Sequence, residues 1–176
     1  MKKIVLTGGP GTGKTTIIDK LTKLGYTCKE EISRQVTQMA RKSGIEQLFL
    51  KDPLLFSKLL LEGRIQQYKD ISKKDCDFIF FDRGIPDVHA YMNYLGIKYP
   101  KRYIEKSKKY TYDNVFLMPP WQEIYITDKE RYESFEQSLA IHNHLKNTYE
   151  NLGYTIIEVP FGDINKRVDF ILKSIV

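Results

Sequence analysis

Along this chain, short unbroken apolar runs alternate with longer stretches in which apolar positions recur every three or four residues. The runs at 2–7, 26–31, 77–82, 114–119 and 154–159 predict five strands. Phe78, Ile79, Phe80 and Phe81 precede Asp82 without alternation, which suits a strand buried on both faces of a parallel sheet. The intervening rhythms predict helices. The first spans 14–24, with Ile17, Ile18, Leu21 and Leu24 on one face and Gly25 as its stop. Ser33 caps a second, which runs to Lys42 ahead of Gly44. Asp52 and Pro53 start a third, which reaches Ser72 on the stripe Leu54, Leu61, Ile65 and Tyr68. Others follow at 85–95 and 100–109. Asp128 opens the longest, which ends at Leu152 before Gly153. Its stripe is Tyr132, Phe135, Leu139, His142, Leu145, Tyr149 and Leu152. Asp163 caps a last helix carrying Val168, Ile171, Leu172 and Ile175.

Strands alternating with helices predict an α/β fold around a five-stranded parallel sheet with right-handed crossovers. Ligands of such sheets bind beyond the carboxyl ends of the strands. Those ends carry the glycine-rich stretch 8–16, Glu30-Glu31, Asp82-Arg83, Pro119-Pro120-Trp121 and Val159-Pro160-Phe161. Most of the unusual residues therefore fall on one rim.

The 176 residues suit a single domain spanning 1–176, and 41% apolar with 28% charged residues is ordinary for a globular chain. Cys28 and Cys76 match no metal or redox spacing and read as thiols of a reducing compartment. No apolar stretch is long enough for a membrane span, and Met1-Lys2-Lys3 leads into no signal-peptide core, so a cytoplasmic location is expected. The net charge of +6 is unevenly placed. Lys98, Lys101, Arg102, Lys106, Lys108 and Lys109 stand against Glu105 alone. This helix, 98–109, is either a solvated face or the docking site of an anionic partner.

The chemistry begins after the first strand. Gly8, Gly9, Pro10, Gly11, Thr12, Gly13, Lys14, Thr15 and Thr16 fill the template G-x-x-x-x-G-K-[ST] between a strand and a helix. Glycines let successive backbone N–H groups converge on phosphate oxygens, and the helix adds its positive end. Lys14 would reach the β- and γ-phosphates, and the Thr15 hydroxyl would bind Mg²⁺. A nucleoside triphosphate ligand follows, with ATP expected and GTP possible. Asp82 is placed to hold Mg²⁺ opposite Thr15, to accept a proton from an attacking hydroxyl, or simply to cap the next helix. Arg83 follows where mechanical ATPases usually carry a water-polarising Glu, which favours transfer to a bound acceptor. Strand alternation turns one of Glu30 and Glu31 inward. Arg64, inside the third helix, either faces an acceptor or, as arginines more often do, lies on the surface. His142, on an apolar stripe, reads as a core histidine, and His89 has no metal-spaced companion. Trp121 either walls a pocket or anchors a loop.

The stretch from Asp82-Arg83-Gly84 to Ala90-Tyr91 resembles the Asp-Arg loop of thymidylate and deoxynucleoside kinases, with Gly84 where an aromatic is common and Asp87 where a Ser is common. The fuller resemblance is to a small P-loop family labelled AAA-type ATPase or kinase, which includes relatives of the ribosylnicotinamide kinase domain of NadR. It rests on 8–16, Glu31-Ile32-Ser33-Arg34, Asp82-Arg83-Gly84, Asp128-Lys129-Glu130-Arg131-Tyr132 and 154–160. It implies a three-layer P-loop NTPase fold of nucleoside-kinase type, with strand order 2-3-1-4-5. It also implies a lid at 128–132 whose Arg131, near Lys129, closes over the triphosphate. Glu31 falls at the position of an acceptor-binding or base carboxylate, and Arg34 and Arg83 become candidates for holding the acceptor. The expected activity is transfer of the γ-phosphate to a small hydroxyl acceptor, a nucleoside or ribosyl compound, with Asp82 or Glu31 taking the proton. The alternative is a nucleotide-dependent binding module or a slow NTPase without an acceptor. A GTP-type Asn-Lys-x-Asp motif is absent beside Met118-Pro119.

Overall fold

The computed structural model describes residues 1–71, 76–125 and 134–175. Five parallel strands form one sheet: β1 (Lys2–Gly8), β2 (Thr27–Lys29), β3 (Phe78–Asp82), β4 (Asn114–Met118) and β5 (Ile156–Glu158), in the order β2-β3-β1-β4-β5. The central strand β1 pairs Leu6 with Asp82 on one side and Gly8 with Met118 on the other. Thus the ends of three strands, and the chemistry that follows them, lie side by side.

The apolar runs bury both faces, as their lack of alternation requires. Ile4, Leu6, Phe80, Phe116 and Met118 meet α1 (Lys14–Lys23) and α8 (Ile164–Ser174) through Ile17, Ile18, Leu21, Val168 and Ile171. Val5, Ile79, Phe81, Val115 and Leu117 point the other way, toward α5 (Pro86–Tyr94) and α7 (Phe135–Asn151) through Ala90, Ile141, Leu145 and Tyr149. Each such side chain contributes about 1.5–3 kcal/mol by leaving water. A second core lies further out. There α2 (Ser33–Lys42), α3 (Leu48–Lys51), α4 (Pro53–Lys69) and α6 (Arg102–Lys109) pack Val36, Leu48, Leu60, Leu61 and Tyr103 against Ile85 and Val88.

Several boundaries differ from the pattern reading. The edge strands β2 and β5 are three residues each, because each has a neighbour on one side only. Ser33 is the first helical residue of α2 rather than its cap, and its N–H goes to Glu31 Oε1 at 3.2 Å. Asp52 caps α4 as expected, accepting from Leu55 N at 2.9 Å. The buried face of α4, however, is Phe56, Ser57, Leu60, Leu61 and Arg64, while Leu54 is exposed. Leucines stand on every side of this helix, so its phase is set by Ile32, Val36 and Ile85 packing against it. The helix α7 does not run through from Asp128. Ser134 is extended and forms a capping box with Gln137, and the buried face carries Ser138, Ile141, Leu145, Thr148 and Tyr149 with Leu139 outside. Asp128, Lys129, Arg131 and Tyr132 lie outside the described residues, as does Ser72. Among the described residues no helix is long and apolar enough to cross a membrane.

Candidate active site

The loop from Gly8 to Gly13 joins β1 to α1 and packs where no side chain fits. A Cβ on Gly8 would lie 2.7 Å from Met118 O, and its φ of 150° is one that glycine accepts. Thr12 Oγ1 donates to Gly9 O at 3.0 Å and fixes the bend. Lys14 curls into the same concavity, its Nζ donating to Gly9 O at 2.6 Å and Thr12 Oγ1 at 3.1 Å. Thr15 and Thr16 are exposed in the first turn of α1, which contains no carboxylate to compete for an anion. A helix N-terminus, a buried ammonium and a glycine-rich loop thus come together, the combination that binds phosphate.

Beside the loop, Glu31 meets arginines from two other segments, Arg64 of α4 and Arg83 after β3. Glu31, following β2, receives Arg64 Nη2 at 3.0 Å on Oε1 and pairs through Oε2 with Arg83 Nε. Arg64 is 4% exposed, and its Nη1 donates to Gly84 O at 2.9 Å. It is therefore no surface arginine. Its place in the spacing 57, 60, 61, 64 on the buried face of α4 was the available signal. Arg83 Nη1 donates to Gly8 O at 2.9 Å, so this one side chain touches both the glycine loop and Glu31. Arg34 is exposed on the first turn of α2.

Electrostatics follow from the crowding. Burial, and then the nearby Arg83, bring the Lys14 ammonium down to about 7. Burial, and then Glu31, push Asp82 up to about 6. Burial also opposes the charge on Glu31, but Arg64 and Arg83 outweigh it and hold its carboxyl below the usual range. Asp82 Oδ1 is buried and has no hydrogen-bond partner among the described residues. Together with the Thr15 hydroxyl it offers hard oxygen donors, a set that fits Mg²⁺ sharing its remaining positions with phosphate and water.

A further arginine escaped the pattern reading. Arg167 of α8 is buried, donates from Nη1 to Thr12 O at 3.0 Å and lies 5.9 Å from the centre of the Trp121 ring. Trp121 in turn packs on Phe161 at 5.3 Å, so the loops after β4 and β5 meet beside the glycine loop. Val168 and Ile171 mark the same face of α8, but nothing in the sequence pairs position 167 with a carbonyl 155 residues earlier. His89 is structural. It shares a hydrogen bond with Ser107 Oγ at 3.1 Å, and burial pulls it down to about 4. His142 is half-buried, and burial lowers its pKa as well.

A sequence model described as an AAA domain matches residues 3–167. The chain belongs to this AAA domain family. The match spans every strand and the whole candidate site, in agreement with the resemblance drawn from the motifs. No curated protein matches the sequence significantly. Solved structures show the same fold as this AAA domain. Deoxyadenosine kinase from M. mycoides with bound dCTP superposes with a TM-score of 0.71 at 19% identity over 98% of both chains. NadR in complex with NR gives 0.72 at 17% identity, covering 99% of this chain and 50% of that one. Thymidylate kinase from Candida albicans gives 0.72 at 15% identity over 99% and 90%. The five-stranded order is thus that of nucleoside and nucleotide kinases. Neither the fold nor these likenesses supports an anionic partner for the basic helix α6, whose buried residues are Tyr103 and Ser107.

Proposed function

We propose that this chain is a phosphotransferase that moves the γ-phosphate of ATP to a small hydroxyl acceptor, a nucleoside or ribosyl compound. The observation that carries the reading is Glu31, gripped by the buried Arg64 and the half-buried Arg83, near a P-loop lysine and the Asp82 carboxylate, whose Oδ1 has no hydrogen-bond partner among the described residues. Where a water-activating ATPase would carry a Glu after the strand-end Asp, this chain carries Arg83, engaged with Glu31 and Gly8 O. The kinases that share this fold, among them a deoxyadenosine kinase with bound dCTP and NadR in complex with NR, support an acceptor of nucleoside type.

The division of labour follows from the environments. Lys14 would leave Gly9 O for the β- and γ-phosphate oxygens. Thr15 and Asp82 would hold Mg²⁺, which supplies positive charge against the triphosphate. Glu31 would orient the acceptor hydroxyl. Phosphoryl transfer passes through a loose transition state that asks more for positioning than for a strong base, so a carboxylate fixed by two guanidinium groups serves well. Asp82, or Glu31 in its place, would take the hydroxyl proton as it leaves the acceptor. Arg34 and Arg83 would flank the acceptor, and Arg131, outside the described residues, is the candidate to neutralise charge on the triphosphate. The chain would work in the cytoplasm.

The test is a mass-spectrometric screen of the protein with Mg²⁺·ATP, and separately Mg²⁺·GTP, over a pool of nucleosides, nucleotides and ribosyl compounds. A phosphorylated product that disappears with Lys14→Ala is expected. Asp82→Asn should abolish turnover while nucleotide binding persists in part. Full activity in that variant removes Asp82 from its role, and tight ATP binding with no product anywhere in the pool overturns the kinase reading.

A further inference from the structure

Behind the site lies a second buried cluster, centred on one of the two residues that depart from the kinase-like pattern. Asp87 is 1% exposed and receives four hydrogen bonds. Thr7 Oγ1 at 2.6 Å and Arg83 Nη1 at 3.3 Å reach its Oδ1. Tyr149 OH at 2.6 Å and Gly84 N at 3.0 Å reach its Oδ2. The donors come from β1, from the loop after β3 and from α7. Burial keeps the Tyr149 phenol protonated far above its ordinary range, so it remains a donor.

The other departure, Gly84, makes this possible. A Cβ there would run into the Tyr149 hydroxyl and come within 3.2 Å of Tyr112 and Val5. The two unusual residues are therefore one device: the glycine leaves the space through which the phenol reaches the carboxylate. What the device grips is Arg83. Its φ of 71° is the only positive φ at a non-glycine residue among those described. Such a conformation persists only where the surroundings over-determine it.

We propose that Asp87 and Tyr149 are positioning residues that lock Arg83 as a tie between the glycine-loop carbonyl of Gly8 and the Glu31 carboxylate. The proposal rests on reading residues 8–16 as a nucleotide site. A buried carboxylate is a poor means of filling a core, because apolar residues of similar volume stabilise as much or more. Four donors aimed at it from separate segments, and a strained arginine beside it, mark a group kept for geometry.

Tyr149→Phe removes one oxygen and leaves the ring in place. Two readouts apply, both independent of any acceptor: Mg²⁺·ATP affinity by calorimetry, and the Arg83 Nε–H resonance in ¹⁵N NMR, assigned with Arg83→Lys. Thermal unfolding first confirms that each variant is folded. Tyr149→Phe is expected to weaken Mg²⁺·ATP binding about tenfold, as for one lost hydrogen bond to a charged group, and to speed exchange of the Arg83 proton. Gly84→Ala should weaken binding more. The combined variant Gly84→Ala with Tyr149→Phe should recover most of the way toward Tyr149→Phe, because the atom nearest the new methyl is gone. Unchanged affinity and an unchanged Arg83 signal in Tyr149→Phe overturn the proposal, as does simple additivity in the combined variant. Failure of the kinase reading is a different result, namely a wild-type protein that binds ATP and phosphorylates nothing.

Discussion

Lys14 and Asp82 hold their protons with affinities displaced toward each other, near 7 and 6, and this has a measurable sign. Between pH 7 and 10 the unfolded chain keeps a proton on Lys14 that the folded one has released, so stability rises with pH across that window. Between pH 4 and 6 the folded chain keeps a proton on Asp82 that the unfolded one loses, so this group's contribution falls as pH rises. Nucleotide binding reverses both displacements, because phosphate recharges the lysine and a cation recharges the carboxylate. Binding of Mg²⁺·ATP at pH 8 is therefore expected to take up protons, and at pH 6 to take up fewer or release them. Calorimetry in two buffers of different ionisation enthalpy reads the count directly. Lys14→Met should remove the uptake at pH 8, and uptake that persists in that variant would assign the proton elsewhere.

The helices show where sequence rhythm suffices and where it does not. In α1 and α8 the apolar stripe is narrow, and Ile17, Leu21, Val168 and Ile171 face the sheet as the spacing predicts, while Leu24, expected on the same face, caps α1 and is exposed. In α4 it is broad, and the true face was settled by the outer core, which carried Arg64 inward to Glu31. Replacing Arg64 with Met should cost about 3 kcal/mol in a denaturant titration, the lower end for a broken buried pair, because Glu31 keeps Arg83. Removing the α4 cap with Asp52→Ala should cost only about 1 kcal/mol. The glycine loop was legible because every part of it is local in sequence. Glu31 was legible as a position but its partners were not, since Arg64 lies 33 residues away and Arg83 further still. Arg167 and the Asp87–Tyr149 pair follow the same rule: side chains that meet only after the sheet is assembled leave no short-range trace.

For the whole molecule, ligand and fold share one free energy. Nucleotide at a hundred times its dissociation constant adds about 2.7 kcal/mol. In a domain of this size that should raise the melting temperature by about 5–10 °C. Lys14→Ala should lose most of the shift, whereas charge reversal on α6 should leave it intact, since that helix presents its basic side chains away from the core. The topology also sets an order of events during synthesis. The first strand made, β1, occupies the middle of the sheet, and its second neighbour begins only at Asn114. A nascent chain emerging from the ribosome thus carries Ile4, Val5 and Leu6 with one flank open for more than a hundred residues. The brace from Arg167 to Thr12 comes later still, so a ribosome-tethered chain should reach its full triphosphate affinity only after α8 has cleared the exit tunnel.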